Sequence, residues 1–200
     1  TGGMGAVAPI SIPKTSIEDI KNKIIEPSIR GMRKCGTPFV GLLYPGVILT
    51  KEGPKVVEFN VRLGDPEAEV YMRLLESDLL EIFDACVDGN LKNKVINWAP
   101  GAAVAVTLAS GGYPGDYEKG FPIQGIPEAE KDGGVVIFQA ATSSEGNAIV
   151  TNGGRVLSVS ATGRDLREAT NRAYVAVSKI NFKGMQYRKD IGNKFLSRIS

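Results

Sequence analysis

Within Lys55 to Glu67, KVVEFNVRLGDPE, two oxygen-bearing side chains, an arginine and a Gly-Asp-Pro-Glu turn fall close together. If Val56 to Arg62 is a strand, Glu58, Asn60 and Arg62 share one wet face while Val57, Phe59 and Val61 share a buried one. Side chains two apart on a strand stand roughly 6.5 to 7 Å apart, so a carboxylate and an amide oxygen there could converge on one hard cation. Mg²⁺ takes such oxygens and commonly holds one or two protein groups plus substrate phosphates, which makes Glu58 and Asn60 candidate metal ligands. A half-exposed strand shows the same alternation with no ligand at all, and the pattern by itself leaves both readings open.

The surrounding sequence says what positions these residues. Phe39 to Thr50 is apolar and Lys51-Glu52-Gly53-Pro54 reverses the chain, predicting a β-hairpin whose second strand carries Glu58 and Asn60. A helix is expected from near Pro66, because proline and Glu67 suit a first helical turn. Ser77 and Asp78 cap a second helix, Leu79 to Val87, which stops at Asp88-Gly89. Upstream, a helix capped by Thr15 or Ser16 carries Ile17, Ile20, Ile24 and Met32 at near-helical spacing, with a kink expected at Pro27 and an end at Gly36. The opening TGGMGAVAPIS reads as a loop in which Gly2, Gly3 and Gly5 let backbone N–H groups turn toward an anion. Its lack of an initiating methionine predicts a fragment of a longer protein.

After Trp98-Ala99-Pro100-Gly101 the texture changes to short β-rich runs, and a domain boundary is placed there, separating residues 1–98 from 99–200. Ala102 to Ala109, Val135 to Thr142, Ala148 to Thr151 and Arg155 to Ala161 read as strands, with Asn152-Gly153-Gly154 turning between the last two. Asp165 to Lys179 reads as a helix with Leu166, Ala169, Ala173 and Val177 on one side. The SGGYPG loop, Ser110 to Gly115, suits either a ligand or a tight turn. The fold class is α+β.

Composition closes off several chemistries. The 200 residues hold 42% hydrophobic and 23% charged side chains with a formal charge of +2, too even a balance to predict nucleic acid or an acidic membrane as partner. Histidine is absent, which removes Ser-His-Asp and Cys-His nucleophiles and His-based zinc sites together. Cys35 and Cys86 lack CxxC spacing, and no apolar run approaches membrane-spanning length; the reading is a cytoplasmic protein whose two reduced thiols serve as small apolar packers.

GLLYPGVILTKEGPKVVEFNVRLGDPE, with TGGMGA before it and ASGGYPGDYEKG, GGRVL and YRKDIG after it, closely resembles the phosphoribosylamine-glycine ligase family, also called glycinamide ribonucleotide synthetases, within the ATP-grasp superfamily. The resemblance runs through nearly the whole chain, in order. It implies the C-terminal half of such an enzyme: the later part of an ATP-grasp domain, an antiparallel sheet with helices, then a small α+β domain. The implied reaction joins glycine to 5-phosphoribosylamine through a glycyl phosphate, with ATP as co-substrate.

Carried over motif by motif, the resemblance implies that Glu58 and Asn60 hold Mg²⁺ or Mn²⁺. It implies that Arg62 stabilises the acyl phosphate or its attacker and that Asp65 orients a substrate amine or ribose hydroxyl. Ile48 is expected to line the adenine pocket, and Thr1, Gly2, Gly3, Met4 and Gly5 to lie near phosphoribosylamine. Three positions depart from the family: Gly46 where related enzymes often carry a further acid, Leu63 in place of an aromatic, and Gln139-Ala140-Ala141-Thr142 in place of His-Ala-Gly-Thr. The missing N-terminal half would hold the ATP lid, so this piece alone is expected to be inactive. The alternatives are another ATP-grasp carboxylate-amine ligase and a non-catalytic binding module that has kept the fold.

Overall fold

The computed structural model describes residues 2–196. The described residues cluster into two compact units that interleave along the chain. A sheet unit takes the residues before Ile10, Asp65–Leu75 and those from Trp98 on; a hairpin unit takes Ile10–Gly64 and Glu76–Asn97.

The sheet unit is built on four antiparallel strands, β1 (Gly5–Ala8), β4 (Ala102–Ala109), β5 (Val135–Gln139) and β8 (Arg155–Gly163), in the order β1-β4-β8-β5. β4 runs AAVAVTLA and is buried along its whole length, as a central strand covered on both faces must be. One face turns Val104, Val106, Leu108, Leu157, Val159 and Ala161 against α6 (Leu166–Val177). That helix is capped by Asp165, whose side chain accepts from the Glu168 N–H. The other face presents small residues. Ala6, Ala8, Ala103 and Ala105 let α3 (Ala68–Tyr71) sit close, with Val70 and Leu74 filling the gap. The opening segment, expected as a loop, thus contributes an edge strand. Four residues are too few to show a period, but once Gly5 to Ala8 lies along β4 its backbone groups complete the ladder.

A separate hairpin joins β6 (Thr142–Glu145) to β7 (Ala148–Thr151). This corrects two expectations: the run from Val135 breaks after Gln139, and β7 pairs with β6 through the Gly146 turn instead of with β8 across Asn152-Gly153-Gly154. Gly146 takes φ 59, the left-handed conformation such a turn requires. Two short helices, α5 (Ile126–Ala129) and α7 (Asn193–Leu196), complete this unit.

In the hairpin unit, α1 (Lys14–Ile20) passes through a π-helical turn, Lys21–Ile25, into α2 (Glu26–Lys34). The disturbance expected at Pro27 is there, placed just before it, and Gly36 at φ 77 ends the helix as expected. Of its apolar residues only Ile24 is buried, while Ile17 and Met32 are exposed. The predicted hairpin forms from β2 (Tyr44–Thr50) and β3 (Gly53–Asn60), the first strand starting five residues later than expected. Residues between Phe39 and Leu43 find no partner strand among the described residues. α4 (Leu79–Val87) is capped by Asp78, which accepts from the N–H groups of Leu80 and Glu81, and ends at Gly89 with φ 68. Ser77 plays a different part, accepting from the Asn97 N–H. Among the described residues no helix is long and apolar enough to cross a membrane.

Candidate functional site

Glu58 and Asn60 leave β3 on the same side, as their spacing predicts, and the Asn60 amide donates to Glu58 Oε1 at 2.9 Å. Glu58 lies opposite Gly46 on β2, where a Cβ would stand 3.3 Å from Glu58 Cγ. Glycine there leaves room for the Glu58 side chain, which an acidic side chain at that position would crowd. The pair offers one carboxylate and one amide oxygen. That donor set fits a hard divalent ion whose remaining positions are filled by phosphate and water, and no group of three or more acidic or thiol ligands exists among the described residues.

Other expectations about this strand fail. β3 ends at Asn60, where its partner strand begins at Tyr44, so Arg62 sits in the bend beyond and does not share the strand face. Its Nη1 donates to the Leu63 carbonyl at 2.8 Å. The opposite face is not buried either: Val57 is 63% and Phe59 48% exposed, because a two-stranded sheet packed on a helix covers few of its side chains. A bulge between Gly46 and Val47 adds to this by shifting the register at Val57. Ile48 pairs with Lys55 and is likewise exposed.

Asp65 belongs to the sheet unit, where three distant stretches of chain meet. Arg155, at the start of β8, makes a two-pronged bond to it: Nη1 donates to Oδ1 at 2.8 Å and Nη2 to Oδ2 at 2.9 Å. The same Nη1 also faces the Asp65 carbonyl at 3.2 Å and the Gly3 carbonyl at 3.1 Å. Thr107 secures that opening segment from β4, donating its hydroxyl to the Gly3 carbonyl and its N–H to the Met4 carbonyl. Gly2 is exposed, Gly3 and Met4 offer carbonyls here, and Gly5 enters β1. Thr1 lies outside the described residues.

Arg155 was missed in the sequence, although GGRVL was singled out as a motif. The signal was an arginine directly after two glycines at a strand start. Those glycines are occupied from above: Ser110 Oγ donates to the Gly153 carbonyl at 2.7 Å, and a Cβ on Gly154 would collide with the Tyr113 ring. The SGGYPG segment is therefore a tight turn, with Tyr113 N–H bonded to the Ser110 carbonyl and Gln186 donating to the carbonyls of Ser110 and Tyr113.

Behind Asp65, Glu69 on α3 has a carboxyl raised above the usual range, chiefly by burial; the Ser158 hydroxyl pulls the other way, the Asp65 charge adds to the rise and Arg155 opposes it. Elsewhere in the unit, a cleft of about 480 Å³ is lined by Arg73, Arg164, Arg172 and Glu168 among others. Arg164 is engaged with Glu168 and Arg172 with Asp132, while Arg73 donates Nη2 to the Gly134 carbonyl and leaves its buried Nε without a partner among the described residues. The cysteines are both free, and Cys35 is exposed, so it does not act as the apolar packer expected of it.

Residues 1–68 match the family model for phosphoribosylglycinamide synthetase, ATP-grasp (A) domain, and residues 103–194 the model for phosphoribosylglycinamide synthetase, C domain. The chain is 46% identical over 192 residues to a phosphoribosylamine-glycine ligase of Caldanaerobacter subterraneus subsp. tengcongensis, a match covering 96% of this chain and 45% of that protein. It superposes with TM-score 0.84 and 38% identity on the crystal structure of phosphoribosylamine-glycine ligase from Thermotoga maritima, covering 96% of this chain and 46% of that one. A biotin carboxylase domain from Hydrogenobacter thermophilus, 14% identical with TM-score 0.63, shares the fold over 98% of this chain and 46% of its own. The chain thus spans about half the length of the relatives it matches. With both domain models of one synthetase matched in order and a close structural superposition on a member, the chain belongs to the phosphoribosylglycinamide synthetase family.

Proposed function

We propose that the protein carrying this chain joins glycine to 5-phosphoribosylamine with ATP, giving glycinamide ribonucleotide, ADP and phosphate. In this reading residues 1–98 are the later part of the ATP-grasp domain and 99–200 the small α+β domain. The enzyme works in the cytoplasm, and residues supplied by the rest of the protein are required for turnover. The observation that carries the reading is the Glu58/Asn60 pair, two oxygen donors set side by side on one strand of a chain whose first 68 residues match the family's ATP-grasp domain.

A glycine carboxylate oxygen attacks the γ-phosphorus and ADP leaves; the amine nitrogen of phosphoribosylamine then attacks the acyl carbon, phosphate leaves and the nitrogen loses a proton. Aligning two anions and neutralising the charge between them is most of the work. Glu58 and Asn60 would hold the divalent ion, Mg²⁺ or Mn²⁺, which supplies that neutralisation. Arg62, exposed in the bend after β3, has donors left for the acyl phosphate after its bond to Leu63. Asp65 orients the amine or a ribose hydroxyl, Ile48 offers an apolar surface to adenine, and Gly2 to Gly5 lie near phosphoribosylamine.

The test is ADP release by the full-length protein with each substrate omitted in turn and with glycine replaced by other small acids. Release that needs both glycine and phosphoribosylamine is expected. Equal release with another acid, or release independent of either substrate, would overturn the assignment.

A further inference from the structure

We propose that Arg155 is a positioning residue for the amine substrate: it locks the Asp65 carboxylate in one orientation and ties the Gly3 segment beside it, so that the outward oxygen lone pairs of Asp65 meet the substrate at a fixed angle. The inference rests on the function proposed above and goes beyond it by naming a residue outside the strand and turn that carry the chemistry.

Three observations converge. First, the contact is two-pronged, which fixes both carboxylate oxygens where a single bond would let them swivel. Second, the fixed carboxylate is not used up. Its side chain is 55% exposed while that of Arg155 is 27% exposed, so the arginine is set behind and the acid in front. Each oxygen keeps lone pairs for a donor arriving from solvent. Third, the fit around the guanidinium allows only glycine at position 3. Gly3 has φ 73, and a Cβ there would stand 2.4 Å from Arg155 Nη1. A side chain would push the guanidinium off Asp65.

A merely structural tie predicts lost stability and unchanged substrate constants; a positioning role predicts a selective loss. In the full-length protein Arg155→Met is expected to raise KM for phosphoribosylamine by about tenfold or more while KM for ATP and glycine stays within about twofold. Arg155→Lys should recover only part of this, since an ammonium cannot grip both oxygens. Gly3→Ala should reproduce the Arg155→Met pattern. Adding Arg155→Met to Asp65→Asn should change KM little further, because the group being positioned is already gone. If Arg155→Met lowers the melting temperature but leaves all three KM values alone, or raises all three alike, the proposal is wrong. Those outcomes are readable only in a protein that ligates glycine to phosphoribosylamine, so they are distinct from failure of the functional assignment itself.

Discussion

Ser160 on β8 donates its hydroxyl to the backbone carbonyl of Glu69 at 2.6 Å, pinning the short helix α3 to the sheet. The bond holds the Glu69 carboxyl inside, where burial favours its neutral form. At a pH just above the ordinary glutamate value of 4.5 the folded chain therefore keeps a proton that the unfolded chain has released. Linkage then makes stability fall as pH rises from that value through the raised one. Glu69→Gln is expected to remove this slope and to be the more stable protein above the window. Urea unfolding of both proteins from about pH 4 to about pH 8 measures it; parallel curves would show that Glu69 does not bind its proton more tightly when folded.

Glu58 is exposed and its removal strips little from the packing. Glu58→Gln should leave the melting temperature of the chain essentially unchanged. In the full-length protein it should raise the Mg²⁺ needed for half-maximal rate by about tenfold or more. A metal titration at saturating ATP reads the difference, and an unshifted midpoint would remove Glu58 from the metal site.

Leu157 has 0% of its surface exposed and sits between the sheet and α6. Leu157→Ala is expected to destabilise the chain by about 2–5 kcal/mol, the cost of lost transfer energy plus a cavity. Denaturant unfolding measures it. A loss below about 1 kcal/mol would mean that the core collapses around the gap.

Asp78 satisfies two N–H groups at the start of α4. Asp78→Ala should cost about 1 kcal/mol. Because α4 belongs to the hairpin unit, amide exchange should quicken within Leu79–Val87 and stay unchanged in β4. Equal acceleration in both would mean that the two units open together.

What the sequence revealed follows from the range of the forces involved. β4 and β7 match their expected bounds, and α6 was expected to within a residue at its start, because continuous apolar runs and a capping aspartate are local signals. The pairing of β7 with β6 was hidden: Asn152-Gly153-Gly154 looks like the stronger turn, yet those glycines serve close approach to Ser110 and Tyr113. β1 was hidden because a lone four-residue edge acquires meaning only from β4. At the site, the Glu58/Asn60 convergence was legible because period 2 holds over two residues. The place of Arg62 was not, because strand length depends on where the partner starts. Arg155 escaped for the same reason, since its partners lie 90 and 152 positions away.

The pairing of Gly5–Ala8 with β4 spans about a hundred intervening residues. During synthesis the first strand emerges long before there is anything for it to join, so the sheet closes late and the contact order of this unit is high. Loop-closure entropy grows only logarithmically, each doubling of the excursion costing about 0.6 kcal/mol. Insertions in the intervening turns, at Gly89 for example, should therefore be nearly free for the sheet, whereas deleting Gly5–Ala8 would strip an edge from it.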